Sequence, residues 1–261
     1  MERYNVSFAG AGKVAGALCK AIYQSGSSIQ KIVSRNESNG RQLSDSCKAQ
    51  WCSDLIYPES TEIIIVAVPD HTLENVLNNI KCGKKTLVVH TAGSLGIDLF
   101  PFHIKQKGVF YPLQTFSQGR DIAFTDLPFL LEASDNHSNE ILKNLAESIG
   151  GKVYFVDNEH RRMLHLAAVF VNNFTNHMLR TGNEIASRAG FSPEVLKPLI
   201  NETISKALDI GPENSQTGPA IRNDLNTIEK HLDLLSFSPE MQNMYREITR
   251  SIITYYKRSD S

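Results

Sequence analysis

The sequence is poor in cysteine, has no long apolar run and carries no excess of either charge. Its four cysteines, Cys19, Cys47, Cys52 and Cys82, include no C-x-x-C pair. That spacing excludes a zinc ribbon or a dithiol redox motif and reads as reduced thiols in a cytoplasmic protein. With no H-x-x-x-H and no clustered Cys/His spacing, no metal site is expected. The longest plainly apolar run, Ile63 to Val68, is far short of the ~20 residues a spanning helix needs. No charged segment with an apolar core precedes the first strand, so no signal peptide and no membrane partner are expected. Lys and Arg number 27 against 28 Asp and Glu, a formal net charge of −1, which gives no basis for steering towards nucleic acid. What is present, 41% hydrophobic and 21% charged residues in 261, describes a soluble globular chain long enough for two modest domains.

Residues Val6 to Ala15 read V-S-F-A-G-A-G-K-V-A, an apolar strand running into Gly10-x-Gly12-x-x-Ala15. Val14, Leu18, Ala21 and Ile22 then recur at helical spacing. Strand, glycine turn and helix together make a dinucleotide-binding fingerprint. Gly10 permits the tight turn, Gly12 lets the backbone approach a pyrophosphate, and Ala15 lets helix and strand pack closely. Ala11, Lys13 and Val14 complete the turn, whose helix N-terminus offers unpaired N–H groups to the phosphates. The next extended run ends in Ser34, followed by Arg35 and Asn36, where an NAD site usually has a carboxylate for the ribose hydroxyls. A carboxylate would repel a 2′-phosphate. Arg35 can instead pair with it through a charge-assisted fork and Ser34 can donate, which points to NADP.

Short apolar runs alternate with helical patterns through the first 157 residues. Candidate strands are Val6–Ala9, Ile29–Ser34, Ile63–Val68, Thr86–Thr91, Gly108–Pro112, Phe129–Glu132 and Val153–Val156, with a weak one near Gln50–Ser53. Helices are expected near Ala11–Gln24, Gly40–Cys47, Leu73–Ile80 and Ser138–Ile149. This α/β alternation predicts a doubly wound, mostly parallel Rossmann sheet over 1–157. From Asp157 onward the strands stop, predicting an all-helical domain over 158–261. Asp157 or Asn158 can cap a helix running to Ala189, roughly 45 Å long at ~1.5 Å per residue. Ser192-Pro193 and Ser238-Pro239 each mark a further helix start, and Pro198 should kink or delay the first of these. The crevice between two such domains is the expected place for the chemistry.

Strand ends supply the site candidates. Val68 and Pro69 close the fourth strand of the alternation, where cofactor contacts belong, while Asp70 reads as a cap for the helix from Leu73. His90-Thr91-Ala92-Gly93-Ser94 offers small residues for a nicotinamide, with Ser94 a substrate donor or an N-cap and His90 structural. Gln114 and Thr115, after Tyr111-Pro112-Leu113, are polar groups that can hydrogen-bond a small substrate or satisfy loop backbone. On a helical wheel His165, Asn172, Asn176 and Asn183 fall within roughly 20° of one line, flanked by Asn173 and Arg180. Leu164, Ala168, Val171, Phe174, Met178 and Ile185 take the other side as the expected core face. Asparagine is a mediocre helix former, so the stripe reads either as an exposed polar face or as a crevice lining with His165 exchanging a proton. Arg222, Asp224 and His231 are weaker candidates.

The motifs G-A-G-K-V-A-G-A-L, H-T-A-G-S-L, Y-P-L-Q-T-F-S, H-L-A-A-V-F-V-N-N-F and Q-T-G-P-A-I-R-N-D span nearly the whole chain. On these it resembles an uncharacterised bacterial family of Rossmann-like proteins with a C-terminal domain of unknown function. Members are described as NADP oxidoreductases and sometimes likened to deazaflavin-dependent ones. The chain is also similar to the wider group of 6-phosphogluconate dehydrogenase, ketopantoate reductase and pyrroline-5-carboxylate reductase. That resemblance implies a 6-phosphogluconate-dehydrogenase-like helical domain that mediates dimerisation, hence a homodimer. In ketopantoate reductase the corresponding helix carries a catalytic Lys, then Asn four and eight positions on. By pattern His165 takes the Lys position, Val169 the first Asn and Asn173 the second. The expectation is an NADP(H)-dependent oxidoreductase acting on a small polar carbonyl, hydroxyl or imine compound, with His165 as proton donor and Asn173 positioning substrate. Alternatives are a non-catalytic NADP(H) sensor, or hydride transfer to a flavin or deazaflavin.

Overall fold

The computed structural model describes residues 2–117 and 119–259. The chain divides into two compact units, Met1–Asn173 and Phe174–Ser261. In the first, strands β1 (Asn5–Ala9), β2 (Ser28–Val33), β3 (Gln50–Cys52), β4 (Ile63–Val66), β5 (Leu87–His90), β6 (Lys107–Pro112), β7 (Pro128–Ala133) and β8 (Lys152–Phe155) form one sheet in the order 3-2-1-4-5-6-7-8. Every neighbouring pair is parallel except β6 and β7. Successive strands are added in one sense from β1 to β3 and in the opposite sense from β4 onward, so β1 and β4 flank the switch point at which open α/β sheets bind ligands.

Helices α1 (Lys13–Gln24), α2 (Glu37–Ser46), α3 (Asp70–Asn79) and α4 (Asn136–Ser148) connect the strands. The two faces of β4 show why. Ile63 and Ile65 join Phe8, Leu18, Ile22, Leu142 and Leu145 in one apolar cluster, whereas Ile64 and Val66 join Leu73, Leu77 and Phe100 in another. All four β4 side chains are buried, the signature of a parallel strand covered on both sides. The weak strand at Gln50–Cys52 pairs with β2 at the sheet edge. Cys19 and Cys47, far apart in sequence, meet in this core with their sulfurs 3.1 Å apart.

Helix α5 (Asn158–Ala168) belongs to the same compact unit as the sheet, and Asp157 caps it by accepting from the His160 N–H at 2.9 Å. The long regular helix read from the sequence is interrupted here. Val169–Phe174 is π-helical, and α-helix resumes as α6 (Thr175–Arg188). A π-helix takes more residues per turn than 3.6, so the wheel that aligned His165 with Asn176 and Asn183 loses its phase. The expected core face also fails as a core. Leu164, Val171, Phe174 and Ile185 are 40%, 75%, 48% and 40% exposed. Helical spacing of apolar residues marks a face that can be covered without saying what covers it.

The second unit continues with a 3-10 turn at Pro193–Leu196, α7 (Lys197–Ile210), α8 (Pro212–Ser215), α9 (Leu225–Leu234) and α10 (Pro239–Ser259). Pro198 does delay its helix: α7 begins only at Lys197, after the Ser192-Pro193 start has made a 3-10 turn. No helix among the described residues is long and apolar enough to cross a membrane.

Candidate active site

The order of the parallel strands sets out a row of loops at their carboxyl ends. Ala9, Val66 and His90 end β1, β4 and β5 in register, and β6 follows. The row therefore runs from the Gly10 turn, through Val68-Pro69-Asp70 and Gly93-Ser94, to Tyr111.

The glycine turn fits a pyrophosphate. Gly10 sits at φ +114°, and a Cβ there would lie 2.2 Å from the Ala67 carbonyl oxygen, so no other residue is accommodated. A Cβ on Gly12, by contrast, would meet nothing within 4 Å. Gly12 is the N-cap of α1, which has no side-chain cap and no acidic residue in its first turn. Open space thus faces unpaired N–H groups and the positive end of the helix, the donor set that binds phosphate. Ala15 is fully buried against the sheet, Ala11 and Val14 are half-buried, and Lys13 is exposed. Val68 is half-buried beside Gly10, and Pro69 is exposed.

At the end of β2 the three candidates differ. Arg35 is exposed and enters no ion pair among the described residues. The Ser34 hydroxyl is not available as the sequence suggests. It donates to the Asn36 carbonyl at 2.7 Å, accepts from Trp51 Nε1 at 3.1 Å and is buried beneath Gly40. Asn36 caps α2, its Oδ1 accepting from Asn39 N–H at 2.9 Å, which leaves its amide NH2 for a ligand.

At the other end of the row Tyr111 and His165 meet. The Tyr111 hydroxyl lies 2.9 Å from His165 Nδ1 and the rings stand edge-to-face at 5.7 Å. Burial, aided by the nearby Asp70 charge, raises the Tyr111 pKa above that of a free phenol, so the hydroxyl keeps its proton. A hydroxyl that donates to Nδ1 leaves the imidazole proton on Nε2. Gly93 makes the pairing possible: a Cβ there would lie 2.7 Å from His165 Nδ1 and 2.8 Å from Tyr111 Cζ. Tyr111 has only a weak local signal in the sequence, an aromatic hydroxyl at a strand's carboxyl end, and is not among the residues the sequence singles out.

Two buried groups frame the Gly93 loop. Arg161, one turn before His165 on α5, is fully buried. It donates to Glu132 Oε2 at 2.5 Å, to the Leu95 carbonyl at 2.7 Å and to Asn158 Oδ1 at 3.1 Å. His90 is fully buried and stacked on Phe100, with Nδ1 accepting from Ala92 N–H at 3.2 Å and Nε2 3.3 Å from the Gly96 carbonyl. The neutral ring satisfies both contacts, whereas a second proton on Nδ1 would face the Ala92 N–H. Burial accordingly lowers its pKa from 6.5 to about 4. The unfolded chain therefore binds a proton that the native chain refuses between those values, so stability falls as pH drops from about 6.5 to about 4. The loss should be on the order of 3 kcal/mol, read by denaturant unfolding at each pH. His90→Gln should remove that slope; an unchanged slope would assign it to other groups.

The remaining candidates are distributed as follows. Asp70 does not cap: α3 has Pro69 as N-cap and starts at Asp70 itself, because Pro69 already carries the turn. Its carboxylate instead accepts from Ser94 Oγ at 2.8 Å, so Ser94 is neither an N-cap nor an unengaged donor. Gln114 and Thr115 are exposed, with Gln114 Oε1 accepting from Thr115 N–H at 2.8 Å. Asn173 is exposed within the π-helical stretch. Asp224 caps α9 and makes no ion pair with the exposed Arg222, while His231 Nδ1 pairs with the Tyr245 hydroxyl at 2.8 Å. No group of three or more His, Cys, Asp or Glu side chains among the described residues could hold a metal ion.

Two family models match the chain: an NADP oxidoreductase, coenzyme F420-dependent, over residues 5–93, and a domain of unknown function (DUF2520) over residues 127–252. No protein of curated function matches it. Among solved structures, a Bacteroides fragilis protein described provisionally as an NADP oxidoreductase is 37% identical over 97% of this chain and 98% of its own, with a TM-score of 0.89. A Thermotoga maritima protein, TM1727, is 24% identical over 98% of this chain and 100% of its own, with a TM-score of 0.72. Pyrroline carboxylate reductase from Plasmodium falciparum, solved with NADP bound, is 14% identical over 100% of both chains at a TM-score of 0.60. The last two share the fold.

Proposed function

The chain belongs to the family of NADP oxidoreductases that the Bacteroides fragilis protein represents, and from that premise we propose that it exchanges hydride between NADP(H) and a small polar carbonyl, hydroxyl or imine compound. The observation that carries this reading is the Tyr111–His165 pair seated on Gly93, in the same row of strand ends as the Gly10–Gly12 turn. In this reading Gly10, Ala11, Gly12, Lys13, Val14 and Ala15 hold the pyrophosphate on the N-terminus of α1. Arg35 pairs with the 2′-phosphate, with the Asn36 amide beside it, and Ser34 shapes the strand end from beneath. Val68 and Pro69 support the nicotinamide half against Gly93. When bound, the nicotinamide supplies or accepts the hydride. His165 exchanges the proton at Nε2 and Tyr111 holds its ring, while Ser94, Gln114, Thr115 and Asn173 offer polar contacts to substrate.

The F420-dependent family model ends at residue 93, before Tyr111 and His165, so its match speaks for the dinucleotide half and leaves the hydride partner to the rest of the chain. A nucleotide sensor would need no proton-donating pair at Gly93. The chain works in the cytoplasm as a homodimer in this reading. Support comes from the apolar side chains left uncovered in one copy: Val171 is 75%, Leu199 64% and Leu208 81% exposed, and α7 buries none of its residues. Apolar surface of this extent is characteristic of an interface.

Binding tests the cofactor assignment directly. NADPH at 100 times its dissociation constant should stabilise the native chain by ~2.7 kcal/mol. A charge-assisted hydrogen bond contributes about 1.5–3 kcal/mol, so NADPH should bind roughly ten- to a hundredfold tighter than NADH. Arg35→Ala should erase that preference by weakening NADPH alone. Equal thermal shifts from the two nucleotides in the unmodified chain would remove Arg35 from the site.

A further inference from the structure

We propose that Asp70 is a specificity-determining residue that makes this site select a cationic reacting group, a protonated imine, over a neutral carbonyl. The inference rests on the reductase reading above and narrows its substrate class. Asp70 stands in the row of strand ends between the Pro69 turn and Ser94. Its Oδ2 accepts from Ser94 Oγ, and no other hydrogen bond and no ion pair engages its carboxylate among the described residues. Ser94 follows Gly93, which is in contact distance of both His165 and Tyr111. The carboxylate therefore lies one residue along the loop from the proton-donating pair, near enough for its charge to act on the Tyr111 phenol.

The one buried cation of this region does not offset it. Arg161 directs its guanidinium to Glu132, the Leu95 carbonyl and Asn158. Across Gly93, Ser94, Tyr111, His165 and Asp70 the lasting formal charge is thus negative. That balance repels a carboxylate-bearing substrate and favours a positive one, and it sharpens as a bound substrate displaces water and lowers the local dielectric. The chemistry agrees. A protonated imine enters as the iminium, which Asp70 holds and to which His165 has no proton to give. Bound NADPH would supply the hydride for that iminium carbon, so that the C=N electron pair falls back on nitrogen and the products balance as a neutral amine and NADP+. A ketone would instead build negative charge on oxygen beside Asp70.

Isothermal titration of the full-length chain saturated with NADP+ tests this without turnover, using two ring compounds of matched size. Pyrrolidine, a cation at pH 7, should bind at least tenfold tighter than neutral cyclopentanol. Asp70→Asn should bring the two within about twofold of each other while leaving NADP+ affinity unchanged, and Ser94→Ala should keep the preference because the carboxylate remains. Equal or undetectable binding of both rings to the unmodified chain overturns the inference, as does an Asp70→Asn variant that still prefers the cation. NADP+ that binds without any cation preference sinks the inference alone. Failure of NADP+ to bind sinks the reductase reading with it.

Discussion

Replacing Arg161 with methionine is expected to destabilise the chain by about 3–5 kcal/mol. The side chain is fully buried, and its guanidinium reaches three acceptors on two elements, β7 through Glu132 and the Gly93 loop through Leu95, besides Asn158 at the start of its own helix. Methionine fills much of the volume but leaves the Glu132 carboxylate, only 18% exposed, without a counter-charge. It also strands the Leu95 carbonyl. Leaving one member of such a pair behind costs more than the pair is worth, so Arg161→Met with Glu132→Leu should recover much of the loss. Arg161→Lys should fall between, since a single ammonium cannot span acceptors that a planar fork reaches together. Denaturant midpoints at constant slope would measure all three. If Arg161→Met unfolds at the unmodified midpoint, the network contributes nothing to stability.

Replacing His165 with alanine should lower kcat by about 10²–10⁴, the range for losing a positioned general acid. NADPH affinity should stay nearly unchanged, because the phosphates and the 2′-phosphate are held on α1 and at Arg35. Tyr111→Phe tests the other half of the pair. It removes the bond that leaves the imidazole proton on Nε2 while the edge-to-face ring contact persists, so kcat should fall by a smaller factor with KM little changed. Steady-state kinetics on a responsive imine or carbonyl, alongside a fluorescence titration with NADPH, separate the outcomes. Loss of NADPH binding in His165→Ala would make the histidine a structural residue and leave the proton without a donor.

Much of the sheet unit was legible because its signals are local. The strand–glycine–helix run, the continuous apolar strands and the breaks between them each lie within about ten residues, the range over which periodicity and turn chemistry act. Even the delayed start of α7 followed from Pro198 alone. The helical part was less legible. A π-helical stretch carries no periodicity signal of its own in the side chains, so the polar stripe built on a 3.6-residue period lost its register at Val169. The end of β2 shows the same limit at the scale of one hydroxyl. The identity of Ser34 marks it as a donor, and only the position of Trp51 and of the Asn36 carbonyl shows that the donor is used.

By itself the sequence determined the α/β alternation of a Rossmann sheet, the phosphate turn, the absence of a carboxylate at the end of the second long strand and the helical character of everything after Asp157. Each follows from backbone conformations and side-chain chemistry that neighbours in the chain impose on one another. The tertiary structure alone decided the pairs that give the site its chemistry: Tyr111 with His165, 54 residues apart, Arg161 with Glu132, 29 apart, and Asp70 with Ser94, 24 apart. A hydrogen bond exists only where two groups come within about 3 Å. For residues on separate strands and helices, that approach is set by how the parallel strands order themselves in the sheet, which no local stretch of the chain contains.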